Sequence, residues 1–274
     1  MEHEEQRSMT TDFKQTYGPW AIVTGASSGI GESFAHAVAR RGLRPLLVAR
    51  RIDELARVAR EIEEATGVEG RVLAIDLTSP DFAEAIAETC RDIEIGLVVS
   101  NAGFNPPGDF ELRSRDELCA VLDTNCRAPM LLAEAFVPRL RTRGRGGFLI
   151  TGSIEGFFGI PHSTVYAASK NFVQAFGEGL WGELQPDGVD VLVLAPGATD
   201  TPLIRSRNMQ DLPGIMTAEA VAEYGLDHLA KGPTAIPGEG NRQMVATFAD
   251  MSRSDAVAAM GQAMAAASTH ANER

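Results

Sequence analysis

The chain has 274 residues, with 25 Lys+Arg against 37 Asp+Glu and a formal net charge of −12; that balance speaks against nucleic-acid binding, which runs on cations that neutralise phosphates. Apolar residues make up 44% and charged residues 23%, an ordinary globular mixture that excludes a disordered or fibrous chain and suffices for a full core. Cys90, Cys119 and Cys126 show no Cys-x-x-Cys spacing and have no His cluster beside them, so the expectation is a reducing compartment, the cytoplasm by default, and no structural metal.

Met1 to Tyr17 is polar and acidic, without the apolar stretch of a secretory signal, and is expected to be a flexible tail. No segment approaches the roughly 18 consecutive apolar residues of a membrane span, so no membrane partner is expected. From Trp20 onward short apolar runs alternate with longer amphipathic ones, the pattern that a parallel sheet with crossover helices imposes. Strands are predicted at Ala21 to Thr24, Pro45 to Ala49, Arg71 to Ile75, Gly96 to Ser100, Phe148 to Thr151 and Val189 to Leu194. They lack polar alternation, so both faces should be buried. Helices are predicted at Gly31 to Arg41, Ile52 to Thr66, Asp81 to Arg91, Arg115 to Leu140 and Thr164 to Leu184. The fold class that follows is α/β: a Rossmann-like, doubly wound parallel sheet with helices on both faces, in a single domain over residues 18–274.

The first strand runs into Thr24-Gly25-Ala26-Ser27-Ser28-Gly29-Ile30-Gly31. Glycines there let the backbone turn tightly and approach a ligand, and the helix that follows offers unpaired N–H groups to a pyrophosphate. After the second strand, where an acidic residue would bind the ribose 2′-hydroxyl of NAD, the chain reads Ala49-Arg50-Arg51. A guanidinium suits the 2′-phosphate of NADP, whereas a carboxylate would repel it, so NADP(H) is preferred, with NAD(H) as the alternative. Further on, the run Arg139, Arg141, Arg143, Arg145 reads as a solvated helix end in preference to an anion site.

Tyr166 and Lys170 stand four apart on a predicted helix and so share one face. A tyrosine with a pKa near 10 needs a neighbouring positive charge to work as a base at neutral pH, and Lys170 supplies one. Ser153 lies thirteen residues upstream of Tyr166, just past an apolar strand.

With these residues in place the chain resembles the short-chain dehydrogenases/reductases of the single-domain type, from about Trp20 to at least Leu203. The motifs that carry the likeness are the loop Thr24 to Gly31, Asp76-Leu77, Asn101-Ala102-Gly103, Asn125, Ser153, Tyr166-x-x-x-Lys170 and Pro196-Gly-x-x-x-Thr201, in that order. The resemblance implies hydride transfer between a nicotinamide and a small-molecule carbonyl or alcohol. Tyr166 would be the general acid or base, Ser153 would hold the substrate oxygen, Lys170 would bind the nicotinamide ribose and lower the tyrosine pKa, and Asn125 would hold a relay water. Cofactor contacts would come from Gly25, Ser27, Ser28, Gly29, Ile30, Gly31, Arg50, Asp76, Leu77, Asn101, Ala102, Gly103, Tyr166, Lys170, Pro196, Gly197, Thr199 and Thr201. It also implies a substrate lid at about 202–216 and a homodimer or homotetramer paired through the Asn and Tyr-Lys helices, where Gly177, Gly179 and Gly182 would permit close approach.

Where the family often has Ser-Ser-x-Ala-Gly this chain has Gly152-Ser153-Ile154-Glu155-Gly156, so Glu155 either faces the substrate or pairs with a neighbouring cation. His162 and the phenylalanines Phe104, Phe110, Phe157 and Phe158 are further candidates for the pocket wall. The Ala/Met-rich stretch Ser254 to Ser268 is predicted to be one more helix, within a helical extension at about 250–270, and is read as packing. A protein that keeps the fold only to bind cofactor as a regulator is the rival reading from another class; it has no need for all four catalytic residues.

Overall fold

In chain order the strands are β1 (Trp20–Thr24), β2 (Arg44–Ala49), β3 (Arg71–Ala74), β4 (Ile95–Ser100), β5 (Gly146–Thr151), β6 (Val189–Leu194), β7 (Thr199–Asp200), β8 (Met216–Thr217) and β9 (Thr234–Ala235). The structure is a computed structural model that describes residues 12–106 and 108–272, with side chains to residue 264. Seven strands form one parallel sheet in the order β3-β2-β1-β4-β5-β6-β9, and β7 pairs with β8 apart from it. Chain order reverses between β1 and β4, and at such a switch point the loops leaving the carboxyl ends of two neighbouring strands diverge and open a crevice.

Alternating side chains divide the core into two layers. Val23, Leu97, Val99, Leu192 and Leu194 point to the layer shared with the helices α1 (Gly29–Arg40) and α2 (Ile52–Thr66) and with a later one at Ala218–Asp227. Ile22, Val98, Phe148, Ile150 and Val193 point to the other, with α3 (Phe82–Thr89) and the helices at Ala128–Arg143 and Thr164–Leu184. Helices therefore cover both faces of a single-domain Rossmann-like sheet.

Several boundaries differ from the sequence reading for physical reasons. The edge strand β3 is only half covered, with Val72 and Ala74 exposed, because a second neighbour is lacking on its outer side. The helix expected from Arg115 to Leu140 is interrupted: α4 (Arg115–Leu122) passes through a wider π-helical turn, Asp123–Arg127, into α5 (Ala128–Arg143). Next come α6 (Thr164–Leu184), α7 (Pro202–Arg205), α8 (Ala218–Asp227), α9 (Glu239–Ala249) and α10 (Arg253–Asn272). The acidic tail expected over 1–17 is not a tail at its end. Residues 12–17 are helical, the buried Tyr17 hydroxyl donates to Asp190 Oδ2 at 2.6 Å, and Phe13 packs on the Tyr17 ring. Residues 1–11 lie outside the described residues.

The arginines at the end of α5 also depart from a merely solvated helix terminus. The Arg143 side chain is only 9% exposed, pairs with Glu94 at 2.6 Å, and donates to the carbonyls of Thr16, Gly18 and Arg145. It clamps the entry to β1 onto the helix end. Gly177 permits α6 to approach the sheet, because a Cβ there would collide with Val193, whereas Gly179 and Gly182 face open space.

Candidate functional site

The loop after β1 is shaped by three glycines whose roles differ. Gly25 and Gly29 have φ of +70° and +60°, in the left-handed region that only glycine adopts at low cost. Gly31 needs its lack of a side chain, since a Cβ would lie inside contact distance of the Gly25 carbonyl and 2.6 Å from Asn101 Nδ2. Ser28, the residue before α1, makes no side-chain capping bond, so the first-turn N–H groups point into the crevice without a side-chain acceptor from it. Arg51 reaches back to donate to the Ser27 carbonyl at 3.2 Å and to Ser27 Oγ at 3.1 Å. Arg50 projects into solvent with its side chain 76% exposed, 4.0 Å from Asp76. Two hydrogen bonds from Thr78, the backbone one foremost, hold the Asp76 carboxyl below its ordinary range.

On the other side of the switch point, Thr24 Oγ1 accepts from the backbone N–H of Asn101 (3.0 Å) and Ala102 (3.1 Å), and Thr151 Oγ1 donates to Asn101 Oδ1. These bonds tie the ends of β1, β4 and β5 together, so the floor of the crevice is fixed by the sheet itself.

The π turn places Asn125 under this floor. Its Oδ1 accepts from Phe104 N–H at 2.8 Å, and its Nδ2 donates to the Phe104 carbonyl at 3.0 Å and to Ser169 Oγ at 2.9 Å. One buried side chain thus braces the loop after β4 against α6. One turn of α6 brings Tyr166 and Lys170 together, with the Lys170 ammonium 5.6 Å from the Tyr166 ring centre. Lys170 is buried and donates to the Thr151 carbonyl at 2.7 Å; burial pushes its pKa down to about 8. Burial and the nearby Glu155 raise the Tyr166 pKa, while a hydrogen bond with Ser153 and the charge of Arg207 pull it back.

A cavity of about 1490 Å³ joins these parts. Every expected cofactor residue except Gly31 lines it, as do Ser153, Tyr166 and Lys170; Gly31 and Asn125 support the lining from behind. Glu155 faces the same space and accepts from Ser163 Oγ at 2.7 Å. His162, held at φ +62° and paired with Asp109, stands at the wall, and Phe104 faces the cavity. Phe110 does not line it, and Phe158 packs instead on Phe248 of α9. Two parts of the wall escaped the sequence reading. Arg207 enters from segment 202–216, and Met260 and Met264 of α10, together with Met244 of α9, close the far side, so the carboxyl-terminal helix does more than pack. Methionines spaced along a weakly amphipathic, alanine-rich helix gave no sequence signal of that role.

Comparison with known proteins gives this geometry a family. The family model described as short chain dehydrogenase matches residues 19–212. The chain belongs to the short-chain dehydrogenase family. It is therefore an oxidoreductase of the kind that acts on CH–OH or C=O groups. Among its relatives in this family, the 7beta-hydroxysteroid dehydrogenase of Clostridium sardiniense is 32% identical over 254 residues, covering 92% of this chain and 97% of the relative. The 17-beta-hydroxysteroid dehydrogenase type 3 of Homo sapiens is 31% identical, over 80% of this chain and 71% of that protein. A solved 7beta-hydroxysteroid dehydrogenase structure superposes with a TM-score of 0.84 at 25% identity, covering 90% of this chain and 98% of the other. A short-chain dehydrogenase from Sphingobium yanoikuyae in complex with NADPH gives a TM-score of 0.76 at 30% identity, covering 86% and 97%.

Proposed function

We propose that this short-chain dehydrogenase is an NADP(H)-dependent oxidoreductase that interconverts a ketone and a secondary alcohol on a bulky, largely apolar substrate of the steroid kind. The observation that carries the reading is the convergence of Ser153, Tyr166 and Lys170 on one cavity, braced from behind by Asn125. The cofactor supplies the hydride. The crevice suits a dinucleotide: Gly25, Gly29 and Gly31 leave the backbone open to close approach, and the amino end of α1 favours a pyrophosphate. No carboxylate stands at the end of β2, and Arg50, whose one ion pair among the described residues is a long contact with Asp76, can swing towards a 2′-phosphate. NADPH and NADP complexes among structural relatives agree with that preference.

In the reductive direction Tyr166 gives its proton to the carbonyl oxygen while Ser153 donates a hydrogen bond to the same oxygen, stabilising negative charge where it develops. Burial keeps Tyr166 protonated and ready as an acid. In the oxidative direction the Lys170 ammonium favours the phenolate. Lys170 Nζ and Asn125 Oδ1 both lie beside Gly103, a placement that supports the proton relay through water that the family resemblance implies for Asn125.

The substrate class follows from the wall opposite this polar corner, where Leu112, Ile160, Met244, Met260 and Met264 offer an apolar surface. The cavity of about 1490 Å³ takes in the cofactor crevice and this apolar wall together, and the hydroxysteroid dehydrogenases among the relatives support a bulky substrate at the wall. On α6 the exposed Phe172 stacks on Phe176, and Met130 on α5 is also exposed, which supports pairing of two copies through these helices. Three free cysteines agree with a cytoplasmic site of action, and no described helix is long and apolar enough to cross a membrane. Fluorescence titration tests the coenzyme. Tighter binding of NADPH than NADH, lost in Arg50→Ala, is expected, and a preference for NADH would remove the role given to Arg50.

A further inference from the structure

Two charged side chains in the cavity have no direct contact role in the hydride transfer just described. Glu155 sits on the short 3-10 turn Ile154–Phe157, whose start is pinned by a bond from Glu155 N–H to Ser153 Oγ at 3.1 Å. That bond aims the turn so that the carboxyl group shares a wall with the reacting corner. Its Oε2 accepts from Ser163 Oγ, and the other oxygen has no hydrogen-bond partner among the described residues. Arg207 comes from the opposite side, on segment 202–216, where its Nη2 donates to the Asn105 carbonyl at 2.6 Å. Among the described residues neither group belongs to an ion pair, although each feels the charge of the other and both act on Tyr166. The neighbouring Asn105 has its side-chain oxygen buried without a partner.

Glu155 and the half-buried Arg207 face one chamber without pairing, and the second Glu155 oxygen has no partner there among the described residues, so a polar group between them would gain hydrogen bonds that neither side chain now makes. The charges decide what that group is. A carboxylate would be drawn to Arg207 and Lys170 but repelled by Glu155, and an ammonium would suffer the reverse. A neutral hydroxyl satisfies both, donating to Glu155 and accepting from Arg207. We propose that Glu155 and Arg207 bind a second hydroxyl group of the substrate, close to the carbon that reacts, and so select ketones and alcohols that carry one. The proposal rests on the ketone–alcohol reading above and adds to it the substrate's second polar handle.

The test is selectivity between two steroid ketones, one with a hydroxyl placed in turn on the carbons nearest the carbonyl and one without it. Wild type should favour the best hydroxylated ketone by about tenfold or more in kcat/KM, mainly through KM. Glu155→Leu and Arg207→Met should each bring that ratio close to one. Glu155→Gln, which keeps the shape and an acceptor, should retain part of the ratio, and NADPH titration of each variant reports whether it is folded. Equal turnover of both ketones by wild type, or loss in the variants that leaves the ratio unchanged, overturns this proposal and spares the parent reading. Failure of wild type to reduce either ketone overturns the substrate reading and this proposal with it.

Discussion

Lys170 is asked to carry a charge where burial disfavours it, and its pKa near 8 is the result. The linkage has a definite sign. Below about pH 8 the lysine is protonated in both folded and unfolded chains; between about 8 and 10.4 the unfolded chain binds a proton that the folded one has lost, so this group makes stability rise with pH in that window. Relative to Lys170→Met, the cofactor-free wild type should gain about 2 kcal/mol between pH 8 and 10, read from urea unfolding. Parallel pH curves for the two proteins would contradict a buried, charge-bearing Lys170. At Gly31 the constraint is steric. Gly31→Ala should push the Gly25 turn away from Asn101 and weaken NADPH binding at least about tenfold, measured by fluorescence titration, whereas the same change at the open Gly67 should leave NADPH binding as it is. Ser153, Tyr166 and Lys170, singled out in the sequence by type and spacing, come together on one cavity and form the proposed reacting corner. Arg207 was not legible in the sequence, because a lid of mixed composition gives no pattern to read. Nor was the brace on Phe104, because it engages backbone groups.

Elements were legible where packing imposes a period. The bounds of α2, α6 and β6 agree with the sequence reading to the residue, since their apolar positions and terminal residues act together. The π turn was hidden because the weak helix formers Asp123, Thr124, Asn125 and Cys126 lie between two strong helical segments, and such a composition does not by itself mark an i→i+5 turn. Strand β9 spans two residues, too short for any apolar run. The Arg143 clamp connects these levels. Arg143→Ala would leave the carbonyls of Thr16 and Gly18 without their donor, and should lower stability by about 2–3 kcal/mol. Thermal unfolding measures it, and a change in Tm within error would reduce the clamp to a surface contact.

At the scale of the molecule a net charge of −12 is compatible with the proposed phosphate site because the two act over different ranges. Long-range repulsion of an anion is screened within about 8 Å at physiological salt, while amide N–H groups and Arg50 act on contact. NADPH present at 100 times its dissociation constant should therefore stabilise the protein by about 2.7 kcal/mol, visible as a raised Tm. The whole fold also explains the size of the cavity: the sheet and first loops supply a polar corner, and α9 and α10, beyond the part matched by the family model, roof it with methionines. The central claim is that Tyr166 exchanges the proton that accompanies hydride transfer. It is tested most directly by following NADPH-dependent reduction of a steroid ketone by wild type and Tyr166→Phe, with cofactor affinity measured on both. The account predicts NADPH binding by both proteins and a fall in turnover of at least about a hundredfold in the variant. Comparable turnover by the two would contradict it.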